Sequence, residues 1–564
     1  MSNVQLLTDY IKDMDRECPH GYYPRPQLKR DSFLCLNGTW QVQIRDKRGA
    51  SLYNGDITVP FPPESYLSGV KFENKKEKTL DYKRVFTLPE GWGCGRVLLH
   101  FGAVDQECRV YVNGALAGES FGGYIPFSFD ITHLLSKGEN ILEVKARDNL
   151  DKKHPYGKQK YKRGGMWYTT VSGIWQSVWL ESVPERYIEG ITLTPTLNSV
   201  KITVKGGEEK KRLTLSGGEV WEFSGESAEI EPAEVHLWSP ESPYLYRFTL
   251  ECGEDRVESY FALRVVDVRE VDGVSRICLN GKPYVFNGLL DQGYYPDGLF
   301  LPATLEGYAD DIRRVKEMGF NMLRKHIKVE PMIFYYLCDS MGIAVFQDMV
   351  NNGGYSFLLD TALPTVGLQR LGDRLKNRSR TARAIFEENM YGTADLLYNT
   401  PSVVYYTVFN EGWGQFRADD MYERLRAHDG TRIIDATSGW FRRHKSDVDS
   451  RHIYFKALKP KRLDGRPLSI SEFGGYSYRV EGHLYGEDNY GYRLFDTQQD
   501  FENALVALYE NEVLPLAKAG ASAFVYTQVS DVEDETNGLI TYDRRVVKVN
   551  PKRLSDVMKK ITNI

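Results

Sequence analysis

Apolar and polar residues alternate with a period of two through the first third of the chain. LNGTWQVQI, CRVYVNGALAG and NILEVKARD show the alternation, and RVLLHFGAV is an apolar run. Each predicts a short β-strand. Asn113-Gly114 stands between two such runs, a hairpin signal. From about Asp31 to Val183 the pattern predicts an antiparallel sandwich of jelly-roll character, closed by WQSVWLESV (175–183). From Pro184 to Val266 shorter, more charged strands follow: GITLTPTL, SVKITVKG, AEVHLWSP, YLYRFTLEC and ESYFALRVV. So many short strands in so few residues predict an immunoglobulin-like sandwich. It holds no cluster of titratable residues, so its expected role is structural.

After Asp267 strand and helix alternate. PYVFN precedes TLEGYADDIRRVKEMG, where Leu305, Tyr308, Ile312 and Val315 fall at helical spacing, Thr304 can cap and Gly319 can terminate. NMLRKH, a helix opening at Pro331, IAVFQDM, VVYYTVFN, RIIDA, HIYFK, LSISE and SAFVYTQ complete a set of eight strands. That is the strand number of a (β/α)8 TIM barrel. The expected domains are 1–183 (jelly roll), 184–266 (immunoglobulin-like) and 267–564 (catalytic barrel).

Composition narrows the class. At 564 residues the chain exceeds one hydrophobic core. A net charge of −5 leaves no electrostatic footprint for nucleic acid. No apolar run approaches the ~20 residues of a membrane span. Seven cysteines form no metal spacing, and an odd number argues against a complete disulfide framework. The N-terminus lacks a basic region followed by an apolar one. The expectation is a reducing, cytoplasmic enzyme. The 36 tyrosines and 9 tryptophans suit sugar faces, but sandwich cores use them equally.

Two strings carry the chemistry. SVVYYTVFNEGWG and PLSISEFGG are apolar, β-rich runs that end in Glu411 and Glu472. Barrel strands present catalytic groups at their C-terminal ends, and two carboxylates flanking a glycosidic bond are the minimum for its hydrolysis. Trp413, two residues beyond Glu411, could desolvate it and raise its pKa, as an acid requires. Arg324, ending strand 2, could hold Glu472 ionised. Asn410 could bind the hydroxyl beside the reacting carbon. An isolated Asn-Glu pair is a weak signal and is more often a surface feature.

Longer strings resemble glycoside hydrolase family 2, the β-galactosidases, β-glucuronidases and β-mannosidases. They are RPQLKRDSFLCLNGTWQV, GGYIPFSFDIT, SGIWQSVWLE, LNGKPYVFNGLLDQG, FNMLRKH, VFNEGWGQF, SEFGG and NGLITYDR. The resemblance covers nearly the whole chain. It implies a retaining mechanism through a covalent glycosyl-enzyme, with Glu411 as acid/base, Asn410 on the 2-hydroxyl and Glu472 as nucleophile. It implies Tyr454 beside the nucleophile, and His326 and Asn537 as sugar ligands.

Departures from the family pattern bear on the sugar. After strand 1 this chain has Leu290, Asp291 and Gln292 where many β-galactosidases have Asn-Arg-His. Asp291 and Gln292 are therefore candidate ligands of different preference. Asn351-Asn352 stands where the large β-galactosidases have a magnesium-binding glutamate, so no metal and no cofactor are expected. Tyr526 could replace the family's strand-8 tryptophan as an aromatic platform. The Asn-Lys pair by which β-glucuronidases recognise a carboxylate is not evident; Arg544, Arg545 and Lys548 are present in another spacing.

The reading is a retaining exo-glycosidase of β-galactosidase type acting on a carbohydrate, without nucleic-acid or membrane partners and able to form a homo-oligomer. β-Galactofuranosidase, arabinosidase and β-glucuronidase activities are the alternatives within the class. An inactive carbohydrate-binding protein is the alternative outside it.

Overall fold

Asn113 and Gly114 both take left-handed backbone, with φ of 51° and 81°, as a two-residue hairpin turn requires. They join strands Glu107–Val112 and Ala115–Phe121 at one edge of a six-stranded antiparallel sheet. A four-stranded sheet packs against it, containing Arg96–Phe101 and Val178–Val183. Along Gly38–Asp46 the burial alternates, and Trp40, Val42 and Ile44 meet Leu99, Val144 and Leu180 between the sheets. The chain is described here from a computed structural model, which covers residues 6–72, 77–365, 368, 373, 377–459 and 465–564.

The second sandwich packs a three-stranded sheet on a four-stranded one around Ile202, Leu213, Leu250 and Val257. The sequence pattern misplaces some of its strands. AEVHLWSP forms only isolated bridges at Leu237 and Ser239. Pro232, Pro240 and Pro243 crowd this stretch and remove ladder donors. Its Trp238 instead donates from Nε1 to the Asp339 carbonyl at 2.9 Å, fastening this domain to the barrel. Lys210–Leu215, Val220–Ser224 and Ser227–Ile230 are strands that the pattern did not single out.

The barrel strands are β1 (Phe286–Asp291), β2 (Met322–Lys325), β3 (Ala344–Asp348), β4 (Val403–Thr407), β5 (Ile433–Asp435), β6 (Asp449–Ile453), β7 (Leu468–Gly474) and β8 (Ala523–Thr527). They pair in parallel in the order β5-β4-β3-β2-β1-β8-β7-β6. The first strand starts later than PYVFN suggests, because Pro283 belongs to a preceding hairpin. Close strand packing needs Gly288: a Cβ there would lie 1.9 Å from the Met322 carbonyl oxygen.

Helices α1 (Leu305–Glu317), α2 (Met332–Met341), α3 (Arg380–Leu397), α4 (Ala418–His428), α5 (Gln498–Leu508) and α6 (Pro551–Thr562) cover the outside. Thr304 occupies the α1 cap position without a side-chain capping bond, and Gly319 closes the helix end at φ 88°. Among the described residues no helix separates β5 from β6, or β6 from β7. Alternation along each strand sends Leu289, Leu323, Val345 and Phe524 out to the helices. Phe286, Leu290, Met322, Phe346 and Val525 point inward, closing the barrel floor below the site.

Candidate active site

Arg324 organises the barrel mouth. It shares the inward face of β2 with Met322, two residues earlier, and is 1% exposed. Its Nε donates to Asp348 Oδ1 at 2.9 Å. Its Nη1 donates to Glu472 Oε1 at 3.0 Å and to the Ser471 carbonyl at 2.9 Å. Its Nη2 donates to Asn410 Oδ1 at 2.9 Å. One rigid guanidinium therefore fixes a carboxylate of β7 and the amide beyond β4. The amide oxygen faces Arg324, so Asn410 keeps its NH2 for other acceptors.

Glu472 lies within β7, and its second oxygen accepts the Tyr454 hydroxyl. Burial pushes its carboxyl upward, but His452, Arg324, His326 and the Tyr454 hydroxyl together outweigh it and hold the group below the ordinary glutamate value. Tyr454 follows β6 directly, and its ring stacks on Tyr492 at 4.1 Å. Asp348 also accepts from His326 Nδ1 at 2.7 Å. Burial lowers the His326 pKa against the help of Asp348, and the Lys158 ammonium lowers it further.

Glu411 lies four residues beyond the end of β4, in left-handed backbone at φ 50°. That conformation is uncommon for a non-glycine residue and is the kind of local strain found at functional sites. Its backbone N–H donates to the Ser438 carbonyl at 2.9 Å, which tethers it to the loop after β5. Glu411, Glu472 and His452 each offer a ligand atom within 4.8 Å of the others. No other set of three or more histidine, cysteine or acidic residues among the described residues is grouped so closely.

His452 is the main residue that the sequence reading missed. Its Nδ1 is 2.9 Å from Glu411 Oε1 and 3.4 Å from Glu472 Oε2, and its Nε2 is 2.8 Å from Ser438 Oγ. The signal was available: His452 precedes Tyr454 by two, so a β-strand turns both to one face.

Other expected ligands stand elsewhere. Trp413 is 2% exposed and stacks on Trp167 of the first sandwich at 5.2 Å. Gly412 and Gly414, at φ 74° and 61°, flank it where it packs into an interdomain cluster with Leu150, Tyr156 and Ile327. Tyr526 is no platform. It faces out of the barrel among Phe473, Tyr476 and Tyr509, and strand alternation gives the inward place to Thr527, 3.0 Å from the Tyr454 hydroxyl. Asp291 is committed internally, to Lys325 Nζ at 2.5 Å and the Gly293 N–H at 2.9 Å. Gln292 donates to Gln528, and Gln528 donates to Asn537, both at 2.8 Å. Asn537 is fully buried behind that row.

The basic residues near the C-terminus are engaged as well. Arg544 pairs with Asp311 at 3.2 Å and Lys548 with Asp531 at 2.6 Å, and Arg545 reaches the exposed Asp9 at 3.3 Å. A cavity of about 360 Å3 opens outside β6 and β7, lined by Tyr454, Phe455, Tyr492 and Arg493. The paired carboxylates do not line it; it touches the site through Tyr454 alone.

This architecture and these strand-end carboxylates match three models in succession. They are the sugar-binding domain of glycosyl hydrolases family 2 over residues 15–184, the family's central domain over 188–264 and its TIM barrel over 269–463. The chain belongs to glycoside hydrolase family 2. A β-galactosidase of Lactococcus lactis subsp. lactis is 25% identical over 428 residues, covering 72% of this chain and 39% of its own length. A β-glucuronidase of Canis lupus familiaris is 27% identical over 446 residues, covering 69% of this chain and 65% of its own. The chain thus spans about two fifths of the length of the β-galactosidases it matches first.

Among solved folds, a β-glucuronidase of an uncultured Clostridium superposes with a TM-score of 0.74 at 18% identity, covering 95% of this chain and 99% of that one. A galacturonate-bound β-galacturonidase of Eisenbergiella tayi gives 0.68 at 20% identity, covering 95% and 98%. These place the family 2 fold over nearly the whole chain. No helix among the described residues is long and apolar enough to cross a membrane.

Proposed function

We propose that this family 2 chain is a retaining glycosidase that removes a terminal, β-linked sugar. The observation that carries the reading is the carboxylate pair. An oxygen of Glu411 and an oxygen of Glu472 lie within 4.8 Å of each other at one barrel mouth, so the two carboxyl groups can flank one glycosidic bond, as two-carboxylate hydrolysis requires. Glu472, kept ionised by Arg324, attacks the anomeric carbon and forms a glycosyl ester. Glu411 donates its proton to the departing oxygen. Water then enters, Glu411 takes its proton, and the ester breaks at the anomeric carbon with Glu472 leaving as carboxylate. Asn410 offers its NH2 to the neighbouring hydroxyl, and the Tyr454 hydroxyl steadies Glu472.

For the sugar, the β-galactoside reading rests on the curated β-galactosidases that resemble the chain. The β-uronide reading is the stronger one. The full-length fold neighbours are named β-glucuronidases and β-galacturonidases, and Asp291, which would repel a uronate, is neutralised by Lys325. A panel of 4-nitrophenyl β-glycosides, with the first-formed anomer read by proton NMR, tests both levels. Release of the β-anomer is expected, and the α-anomer would overturn retention.

A further inference from the structure

A uronic acid brings a carboxylate into the sugar pocket, and burying that charge without a cation is strongly unfavourable. Most cations around the barrel mouth are already committed. Arg324 serves Asp348 and Glu472, and Lys325 serves Asp291 and Glu330. Lys328 donates to Glu330 and to the carbonyls of Gly293 and Phe300.

Lys158 is different. It is 9% exposed, yet no carboxylate among the described residues lies within ion-pair reach, and its ammonium makes no hydrogen bond to them. Its Nζ sits 5.5 Å from the centre of the Tyr168 ring. Glu535 takes the Tyr168 hydroxyl and Gln528 Nε2.

The backbone around Lys158 is anchored on every side. The Tyr168 N–H donates to the Lys158 carbonyl at 3.0 Å. Gln159 accepts from the Val171 N–H at 2.7 Å and donates to Asp105 at 3.1 Å. Gly157 takes φ 61°, and a Cβ there would lie 3.0 Å from the carbonyl oxygen of Ile327, the residue after His326. The Trp167–Trp413 stack presses the same segment onto the loop that carries Glu411. A loop of the first sandwich thus carries Lys158 against the segment that follows His326. A desolvated cation without a partner is costly to keep, and an anion brought by the substrate would complete it.

We infer that Lys158 is the specificity-determining residue that receives the C6 carboxylate of a terminal uronic acid. This rests on the glycosidase reading of Glu411 and Glu472 and adds the substrate class to it. Lys548, the C-terminal lysine that the sequence offers for this purpose, is sealed by Asp531. Here the first domain supplies the charge.

The test compares kcat/KM of wild type, Lys158→Met and Lys158→Arg on 4-nitrophenyl β-glucuronide, β-galacturonide, β-galactoside and β-glucoside. Loss of one charge-assisted contact predicts a fall of about 10- to 100-fold in the ratio of uronide to neutral-sugar kcat/KM for Lys158→Met. Lys158→Arg should recover part of that ratio, with melting temperatures confirming that each variant folds. Equal losses on both substrate classes would make Lys158 a structural residue and overturn the inference. A wild type that cleaves only neutral glycosides would also overturn it while leaving the two glutamates in their roles. Turnover of no glycoside at all would overturn the glycosidase reading and this inference together.

Discussion

His452 Nδ1 stands 2.9 Å from Glu411 Oε1, and the same nitrogen is 3.4 Å from Glu472 Oε2. One imidazole therefore touches both carboxylates. Its electrostatic influence is among those that hold Glu472 below the ordinary value against burial. Removing it should raise the Glu472 pKa. A nucleophile must be ionised, so the acidic limb of the kcat/KM profile should move to higher pH in His452→Gln. A merely structural histidine would lower activity at all pH values without moving that limb, and such a result would end its assignment as a positioning residue.

The two glutamates should separate by leaving group. Glu472→Ala should abolish turnover of every glycoside, and azide should restore it with inverted product. Glu411→Ala should slow substrates with poor leaving groups by about 10²–10⁴-fold, the usual contribution of a general acid. Activated aryl glycosides should suffer far less in bond cleavage, because their leaving groups need little protonation. Equal losses on both kinds of substrate in Glu411→Ala would remove it as the acid.

Asp348 connects the site to stability. Burial alone would raise its pKa, but the charge of Arg324 and the bond and charge of His326 hold it at about 2. The unfolded value is about 3.9. A carboxyl depressed on folding contributes stability that is fully present above the unfolded pKa and is lost as pH falls through the folded one. The window is thus from about pH 4 down to about pH 2, and the contribution is roughly 2–3 kcal/mol. Urea midpoints measured from pH 6 to pH 2.5 should fall less steeply in Asp348→Asn than in wild type. An unchanged slope would refute the linkage.

Metal independence is the next expectation. Asn351-Asn352 stands where the resemblance to the large β-galactosidases would put a magnesium-binding glutamate, and Asn352 Nδ2 donates to the carbonyls of Lys153 and Ala382 at 2.7 Å each. An amide turned that way braces two backbone segments. Activity should survive exhaustive chelation; a large loss with EDTA, restored by magnesium, would place a cation that these residues do not suggest.

The barrel and its two carboxylates were legible from periodicity, as apolar runs separated by helical spacing and followed by a charged residue, although Glu411 lies four residues past β4 and Glu472 within β7. Arg324 beside Glu472 was legible for the same reason, as both lie in the C-terminal halves of barrel strands. Side-chain direction was harder to read. Tyr526 and Thr527 are neighbours on one strand, and nothing local says which of them faces the sugar. Trp413 was drawn to Glu411 by sequence proximity, yet, flanked by two left-handed glycines, it stacks on Trp167. Lys158 carried no local signal, since its meaning depends on a sandwich loop meeting a barrel about 170 residues further along the chain. AEVHLWSP failed for another reason: a strand-like composition was overridden by the prolines around it.

The Trp167–Trp413 stack is the last feature to test, because it sets where that loop sits. The rings lie 5.2 Å apart and nearly parallel at 11°, with Tyr355 edge-on to both. Trp167→Ala removes a buried indole and should cost about 3–5 kcal/mol. Trp167→Phe keeps an aromatic ring in the stack and should cost less, so it remains testable if the alanine variant does not fold. Loosening the stack frees the Lys158 segment while every catalytic side chain keeps its identity. Substrate binding should therefore weaken more than chemistry: KM for the preferred glycoside should rise several-fold in Trp167→Phe while kcat falls less. A matching fall in kcat with KM unchanged would show that the stack supports the loop bearing Glu411 instead, and that the first sandwich contributes nothing to holding the sugar.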